Sequence, residues 1–382
     1  MPFLFRIASH LPVTRGWLKQ SGAKYADAAR TAYAADNLDS AIANYQNALR
    51  RAPDNVDWRT DLAQVYLENN QYAEAEQSYS QVLSQDYVNL KAIKGMALTL
   101  HHQNKTDDAV YYYLRYLSLA GDDYDVLVNI GAVFHDSSRF EEAIEYSQKA
   151  AAVNPNGTEA LQNLASAQYY LGQLVEAETT IRQAIKIAPT LSAYEVLGLI
   201  LETQGRDDEA QESYLNAIKL DANGASAHLF LARLYGKKDQ LAEYVEHCRI
   251  AVKILENSKS SADLATAYWE LGWALYLTGA FQESSDVSQK SLDITPQQSS
   301  PRFNRGLALL QLTKPDEARQ EYLTAMANSK PSELKRDAID DLENALKKNP
   351  DLPGGREILD LLNAEYRKVE TTRRPPPPMA QA

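Results

Sequence analysis

Nine small residues recur at nearly constant spacing, and they constrain the fold of this 382-residue chain more than any other sequence feature. Each is alanine or glycine, and the step between neighbours is 34 residues, except for one step of 33 and one of 40: Ala29, Ala63, Ala97, Gly131, Ala165, Gly198, Ala232, Gly272 and Gly306. A second series runs twelve positions later, from Ala41 to Ala318, and its nine places hold alanine or serine except for Tyr244. Helices pack tightly where one of them presents almost no side chain. The chain is therefore predicted to be an array of repeats.

The apolar residues around these anchors follow a helical period. In the fourth unit, apolar or small residues occupy places i, i+3, i+4 and i+7, and after a polar turn a second such set follows: Leu127, Ile130, Gly131 and Phe134, then Phe140, Ala143, Ser147 and Ala150. Prolines fall at one late phase of four units: Pro53, Pro155, Pro189 and Pro296. Proline cannot continue a helix, so each unit is predicted to be a helix, a turn and a second helix.

This pattern resembles the tetratricopeptide repeat, a 34-residue helical pair with small residues at the eighth and twentieth places and proline near the thirty-second. The family's aromatic twenty-fourth place holds tyrosine in five units: Tyr45, Tyr79, Tyr113, Tyr214 and Tyr322. Four units depart from it: Ser147, Ile181, Cys248 and Ser288. The resemblance implies an all-α fold, a right-handed superhelical solenoid of tetratricopeptide helix-turn-helix repeats. At its place in the repeat, Cys248 is predicted to be a packing residue.

The repeat register divides the chain into four parts. Residues 22–332 hold nine units, and six extra residues predict a longer loop near 257–263. Residues 333–370 are predicted to form C-terminal capping helices. Residues 371–382 form a proline-rich tail that is predicted to be disordered.

Residues 1–21 form a basic, apolar leader, since no acidic residue precedes Asp27. Three interpretations stay open: a cap that packs on the first repeat, a segment that docks on a membrane surface or a partner, and a mitochondrial presequence. The rest of the sequence predicts a cytoplasmic protein, with peripheral membrane contact left open through this leader.

Charge and motifs exclude several classes of function. The net charge of −12 disfavours nucleic acid as a partner. The single cysteine cannot form an internal disulfide. The sequence contains no phosphate-binding loop, dinucleotide fingerprint, metal-ligand spacing or nucleophile elbow. We therefore predict that the chain is not an enzyme and needs no cofactor or metal.

Candidate binding residues follow from the resemblance, because the family presents side chains of its first helices in a concave groove. The sixth place of a unit, where an amide holds a peptide main chain, carries asparagine in three units: Asn129, Asn163 and Asn304. The alternative is that these amides bond to neighbouring helices. The third unit adds Lys91 and Lys94 as a positive spot.

An aromatic stripe is predicted in the eighth unit, where Trp269, Trp273 and Tyr276 occupy the fifth, ninth and twelfth places. These places face the groove in the family. Phe303 in the next unit is predicted to extend the stripe. Aromatic anchors dominate interface energies. The alternative is that the longer loop folds over the stripe and buries it.

The predicted function is that of a scaffold or adaptor, which binds an extended peptide or helix of a protein partner in the groove during assembly of a complex. Two alternatives stay open: a non-catalytic regulatory or targeting subunit of an enzyme complex, for example a glycosyltransferase, and a membrane-surface organiser acting through residues 1–21. The sequence predicts neither the partner's identity nor the oligomeric state.

Overall fold

The computed structural model describes residues 12–258 and 260–373, and the side chains of 21–258 and 260–368. Regular secondary structure in these ranges is helical throughout, without a strand. The chain divides into two compact units. The first unit ends at Pro189 and the second begins at Thr190, and from here on a single helical pair is called a repeat. In each unit, helices pack as successive antiparallel hairpins, so the predicted all-α solenoid class is confirmed.

The first unit holds five hairpins. Their helices are α1 (Pro12–Ala34) and α2 (Leu38–Arg51), α3 (Val56–Glu68) and α4 (Tyr72–Gln85), α5 (Leu90–His102) and α6 (Thr106–Ala120), α7 (Tyr124–Asp136) and α8 (Phe140–Val153), and α9 (Thr158–Tyr170) and α10 (Leu174–Ile187).

The second unit holds four hairpins and a C-terminal helical region. The hairpins are α11 (Leu191–Thr203) and α12 (Asp207–Leu220), α13 (Ala225–Lys237) and α14 (Leu241–Glu256), α15 (Ser261–Leu277) and α16 (Phe281–Ile294), and α17 (Ser300–Gln311) and α18 (Pro315–Met326). A continuous helical stretch follows: α19 (Pro331–Glu333), a π-helical segment (Leu334–Asp340) and α20 (Asp341–Lys348). The last described helix is α21 (Gly355–Arg373).

One left-handed residue reverses the chain in every hairpin. The nine residues share the fifteenth place of their repeats and have positive φ: Asp36, Asn70, Asn104, Ser138, Gly172, Gly205, Asp239, Gly279 and Thr313. Glycine, asparagine and aspartate tolerate this conformation better than other residues do. The residue type at the fifteenth place therefore favours the turn between the two helices of a repeat.

The small residues of both series lie in the core of the hairpins, where all are buried. At Gly131, a Cβ would stand 2.8 Å from Oγ of Ser147, and at Gly272 it would stand 2.6 Å from Oγ of Ser288. The side chain at the twenty-fourth place of the repeat, which lies on the second helix, therefore reaches the backbone of the first helix. This close approach is the physical reason for the recurring small residues.

The prediction of a longer loop at 257–263 is wrong, because the extra residues lengthen two helices instead. Helix α14 continues to Glu256 and α15 begins at Ser261. Leu255 is buried and Leu264 packs against the same apolar cluster. Since apolar contacts continue through both helix ends, extra helical turns bury more surface than a loop would.

The two ends of the chain are described only in part. Residues 1–11 of the leader and 374–382 of the tail lie outside the described residues, so the predictions for them stay predictions. Residues 12–21 begin α1. The prediction of a disordered tail from residue 371 is wrong at its first three residues, because α21 continues to Arg373. No helix in the described part of the chain has the length and apolar character needed to cross a membrane.

Candidate functional site

A pocket of about 440 Å³ opens in the second unit. Its lining comes from α13, α14, α15, α17 and the C-terminal helical stretch: Arg233, Gly236, Lys237, Tyr244, Trp269, Glu270, Trp273, Leu277, Asn304, Arg336, Asp337 and Asp341. Most of these residues belong to the first helices of their hairpins. The pocket falls in the size range of sites that bind small molecules or single anchoring side chains.

One wall of the pocket is aromatic. Trp269 and Trp273 line it, and both indoles remain partly exposed. The ring of Tyr276 stacks on Trp273 with centroids 5.5 Å apart and planes at 17°. The side-chain amide of Gln311 donates to the Tyr276 hydroxyl at 3.5 Å. These contacts hold the aromatic wall in place while leaving the two indoles accessible.

Phe303 is not part of this wall, contrary to the prediction. Its side chain is fully buried and its ring packs against Tyr322, with centroids 5.7 Å apart. It shares an apolar cluster with Leu334 and Leu362 of the C-terminal helices. The C-terminal helices cover the fifth place of the last repeat, where Phe303 lies, whereas the same place of the preceding repeat is the partly exposed Trp269. The aromatic wall therefore consists of Trp269, Trp273 and Tyr276.

A buried carboxylate supports the floor of the pocket. Glu270 accepts a hydrogen bond from Nε of Arg233 at 2.7 Å and another from the hydroxyl of Tyr244 at 2.9 Å. Burial and the negative charge of Glu270 raise the pKa of Tyr244. A buried charge with two donors is compensated, so this group fixes the relative positions of α13, α14 and α15.

The opposite side of the pocket is acidic. Asp337 is buried, forms an ion pair with Arg336, and accepts a hydrogen bond from the hydroxyl of Ser300 at 2.7 Å. Burial, followed by the negative charges of Asp337 and Asp340, raises the pKa of Asp341 to about 7. The pocket thus contains a carboxyl group that titrates near neutral pH.

The structure brings some of the predicted binding residues together and separates others. Trp269, Trp273 and Asn304 line one pocket, with Tyr276 stacked beside them. The remaining four lie in the first unit: Lys91, Lys94, Asn129 and Asn163. Lys91 is exposed, whereas Lys94 lies 3.9 Å from the carboxylate of Asp123 and 3.8 Å from that of Asp125.

Two of the predicted asparagines bond to the preceding first helix. The side-chain amide of Asn163 donates to the carbonyl of Val128 at 3.3 Å, and that of Asn304 donates to the carbonyl of Trp269 at 3.5 Å. Asn129 is half-buried on α7. The donors of the two amides thus contribute to contacts between repeats. A contact with a bound peptide stays a prediction for all three residues.

Sequence reasoning missed all six charged residues of the pocket, including Arg233, Glu270, Asp337 and Asp341. A signal for two of them was present in the repeat register. Arg233 occupies the ninth place of its repeat and Glu270 the sixth. In the family, side chains at both places face the groove. The two aspartates lie beyond the last full repeat, so the register could not place them.

Nothing in the described chain indicates metal-dependent or thiol chemistry. No group of three or more His, Cys, Asp and Glu side chains in the described residues could hold a metal ion. Cys248 is fully buried, and burial raises the pKa of its thiol well above its usual range. An inaccessible protonated thiol is a packing residue, not a nucleophile.

Family models of the tetratricopeptide repeat match residues 32–98, 134–197 and 191–223. These matches fall on the helical hairpins whose register the small residues define. These stretches of the chain are tetratricopeptide repeats. Tetratricopeptide repeats are protein–protein interaction modules, and they present their first helices to a partner.

Curated relatives carry related repeats within longer proteins. Tetratricopeptide repeat protein 8 of Caenorhabditis elegans is 28% identical over 47% of this chain and 36% of its own length. BBSome complex member BBS4 of Bos taurus is 26% identical over 55% of this chain and 41% of its own length. Human protein O-mannosyl-transferase TMTC1 is 25% identical over 48% of this chain and 21% of its own length. The chain therefore matches less than half the length of each relative.

A solved structure shows the same fold. A tetratricopeptide repeat protein from Parabacteroides merdae superposes with a TM-score of 0.58 over 67% of this chain and 99% of its own length. Its sequence is 17% identical to this chain, so the likeness concerns the fold alone.

Proposed function

We propose that the protein is a scaffold that binds an extended segment or a helix of a partner protein, with the pocket of the second unit as its main anchoring site. The observation that carries this proposal is the pair of partly exposed indoles, Trp269 and Trp273, in a pocket whose arginine and lysine side chains already have carboxylate partners. Tryptophan is the residue type most enriched among interface hot spots, because it buries a large area at small rotamer cost.

Preorganisation of the pocket supports the proposal. Glu270 ties α15 to Arg233 on α13 and to Tyr244 on α14. Asn304 on α17 donates to the main chain of Trp269. A site whose walls are already fixed loses little conformational freedom when a partner binds, so more of the contact energy appears as affinity.

The first unit supplies a second set of groove residues for the same partner or another part of it. Lys91 is exposed, and Asn129 is half-buried. Asn129 occupies the sixth place of its repeat, where the family uses an amide to hold a peptide main chain. The name of one relative, a member of the BBSome complex, is consistent with a role in assembling a complex.

Affinity purification followed by mass spectrometry would supply a partner, and calorimetry on variants would test the site. We expect Trp269→Ala to weaken partner binding by about 2 kcal/mol or more. The matched control is Tyr87→Ala, which removes an aromatic ring that is 71% exposed in the first unit. Each variant is checked for folding by circular dichroism. Unchanged affinity in folded Trp269→Ala would place the binding surface elsewhere.

A second candidate function draws on the likeness to a protein O-mannosyl-transferase. Under this alternative the repeats serve an enzyme as a regulatory or targeting region. An enzymatic activity that copurifies with the chain and is lost when the chain is removed would favour it. Partner binding without turnover would favour the scaffold.

A further inference from the structure

We propose that the pocket of the second unit takes a basic side chain of the bound segment, with its cationic group on the carboxylate of Asp341 and its stem against Trp269 and Trp273. The proposal rests on the proposed scaffold function and adds the chemical class of the residue that anchors the partner. Arginine fits best, because its planar guanidinium both stacks on an indole and pairs with a carboxylate.

The cations of the pocket do not call for an anionic ligand, since each already has a carboxylate partner. Arg233 pairs with Glu270 at 2.7 Å, and Arg336 pairs with Asp337. Lys237 pairs with Asp207 at 2.7 Å. An acidic side chain entering the pocket would have to compete with one of these pairs.

Asp341 is the charged group of the lining that has no such compensation. Glu270 and Asp337 each accept hydrogen bonds and pair with an arginine. Among the described residues, no hydrogen bond or ion pair to the Asp341 carboxylate is present, although this residue lines the pocket. Since Lys237 pairs with Asp207 outside the lining, Asp341 is left as the one carboxylate of the lining without a cationic partner among the described residues.

The electrostatic surroundings of Asp341 favour the same occupant. Its carboxyl group is partly buried, faces the negative charges of Asp337 and Asp340, and receives only a partial offset from Arg336. The phenols of Tyr276 and Tyr322 face it from α15 and α18. A bound cation would neutralise this repulsion, whereas an apolar occupant would increase the cost of burying the carboxylate.

The aromatic wall adds a second attraction for a cation. Lysine and arginine groups are attracted to the face of an indole more strongly than to other aromatic rings. Their aliphatic stems also bury apolar area against Trp269 and Trp273. The pocket thus offers one charge and one apolar wall, which matches the two parts of a long basic side chain.

A displayed library of random twelve-residue peptides would test this inference on the full chain. Selections run in parallel on the wild type, on Asp341→Asn, and on Asp351→Asn, which makes the same change at an exposed site. We expect the wild type and Asp351→Asn to enrich peptides with a basic residue at one fixed position. Selection on Asp341→Asn should lose that preference by about tenfold, as expected for a partly desolvated ion pair.

Synthetic peptides from the selection would then separate the possible failures. Replacing the basic residue by citrulline should weaken binding to the wild type about tenfold and change binding to Asp341→Asn little. The citrulline comparison on the wild type alone decides the question if Asp341→Asn does not fold. Enriched peptides without a basic preference would overturn this inference and leave the scaffold function standing. Enrichment of no peptide at all would overturn both.

Discussion

Gly198 lies so close to the ring of Tyr214 that a Cβ built on its backbone would stand 2.3 Å from Cε1 of the tyrosine. Gly198 belongs to α11 and Tyr214 to α12, so this contact sets the separation of the two helices in the hairpin. We expect Gly198→Ala to destabilise the protein by about 1 to 3 kcal/mol, because the ring or a helix must shift. Urea unfolding measures the change.

The matched control for this prediction is Gly131→Ala, at the same place of another repeat. A Cβ there would meet Oγ of Ser147 at 2.8 Å. The serine hydroxyl has no hydrogen-bond partner in the described residues, so it can rotate away at small cost. Equal destabilisation by the two substitutions would contradict the idea that the rigid ring of Tyr214 makes alanine costly at Gly198.

The sequence predicted the hairpins well because their determinants are local and repeated. The small residues, the turn and the helical period recur from repeat to repeat. Where the pattern of one repeat is weak, the register of the adjacent repeats still assigns its helices. The extra residues before α15 occur once, and there the prediction failed. Polar residues near Ser260 indicated a loop, but contacts of Leu255 and Leu264 with the core favour longer helices.

The candidate site was predicted only where the repeat register reaches. Trp269, Trp273 and Asn304 occupy groove phases and line the pocket. Asp337 and Asp341 come from a helical stretch beyond the ninth repeat. The pair of Arg233 and Glu270 joins residues 37 positions apart, which no local pattern indicates. Phe303 has the right phase, but the C-terminal helices bury it.

The turn residue Thr313 has a φ of 58°, which is unfavourable for a β-branched side chain. Asparagine fills the same place at Asn70 and Asn104 and tolerates this conformation better. We expect Thr313→Asn to stabilise the protein by roughly 1 kcal/mol, measured by thermal unfolding. The reciprocal change, Asn104→Thr, should destabilise it by a similar amount. A decrease in melting temperature for Thr313→Asn would show that the threonine makes a compensating contact.

Asp341 should make the stability of the protein fall as the pH rises towards neutrality. Its pKa is about 7 in the folded protein, well above the ordinary aspartate value of 3.8, so the folded state holds a proton that the unfolded state has released. The stabilising effect is complete below about pH 4 and is lost as the pH rises through 7, with a slope of at most about 1.4 kcal/mol per pH unit.

The variant Asp341→Asn tests this pH dependence, because an amide does not titrate. Urea unfolding at pH 5, 6, 7 and 8 should show a stability difference between variant and wild type that shifts in favour of the variant with rising pH. Asp351→Asn, at an exposed position, should give a constant difference over the same range. A constant difference for Asp341→Asn as well would mean that the carboxyl group has an ordinary pKa.

The histidine pair of the seventh repeat should make the protein sensitive to acid. The Nδ1 atoms of His228 and His247 lie 2.9 Å apart, so one ring donates and the other accepts at an unprotonated nitrogen, which two protonated rings could not do. Burial lowers the pKa of each ring, and the charge of His228 lowers that of His247 further. Because the unfolded chain takes up these protons near pH 6.5 and the folded chain does so only at lower pH, stability is lost as the pH falls below about 6.5.

We expect wild-type stability, measured by urea unfolding, to decrease more between pH 7.5 and 5 than that of the double variant His228→Gln, His247→Gln. The single variant His247→Gln should fall between them, since removing one ring also relieves the repulsion on the other. If the double variant lost as much stability as the wild type over this range, acid sensitivity would have to arise from other groups.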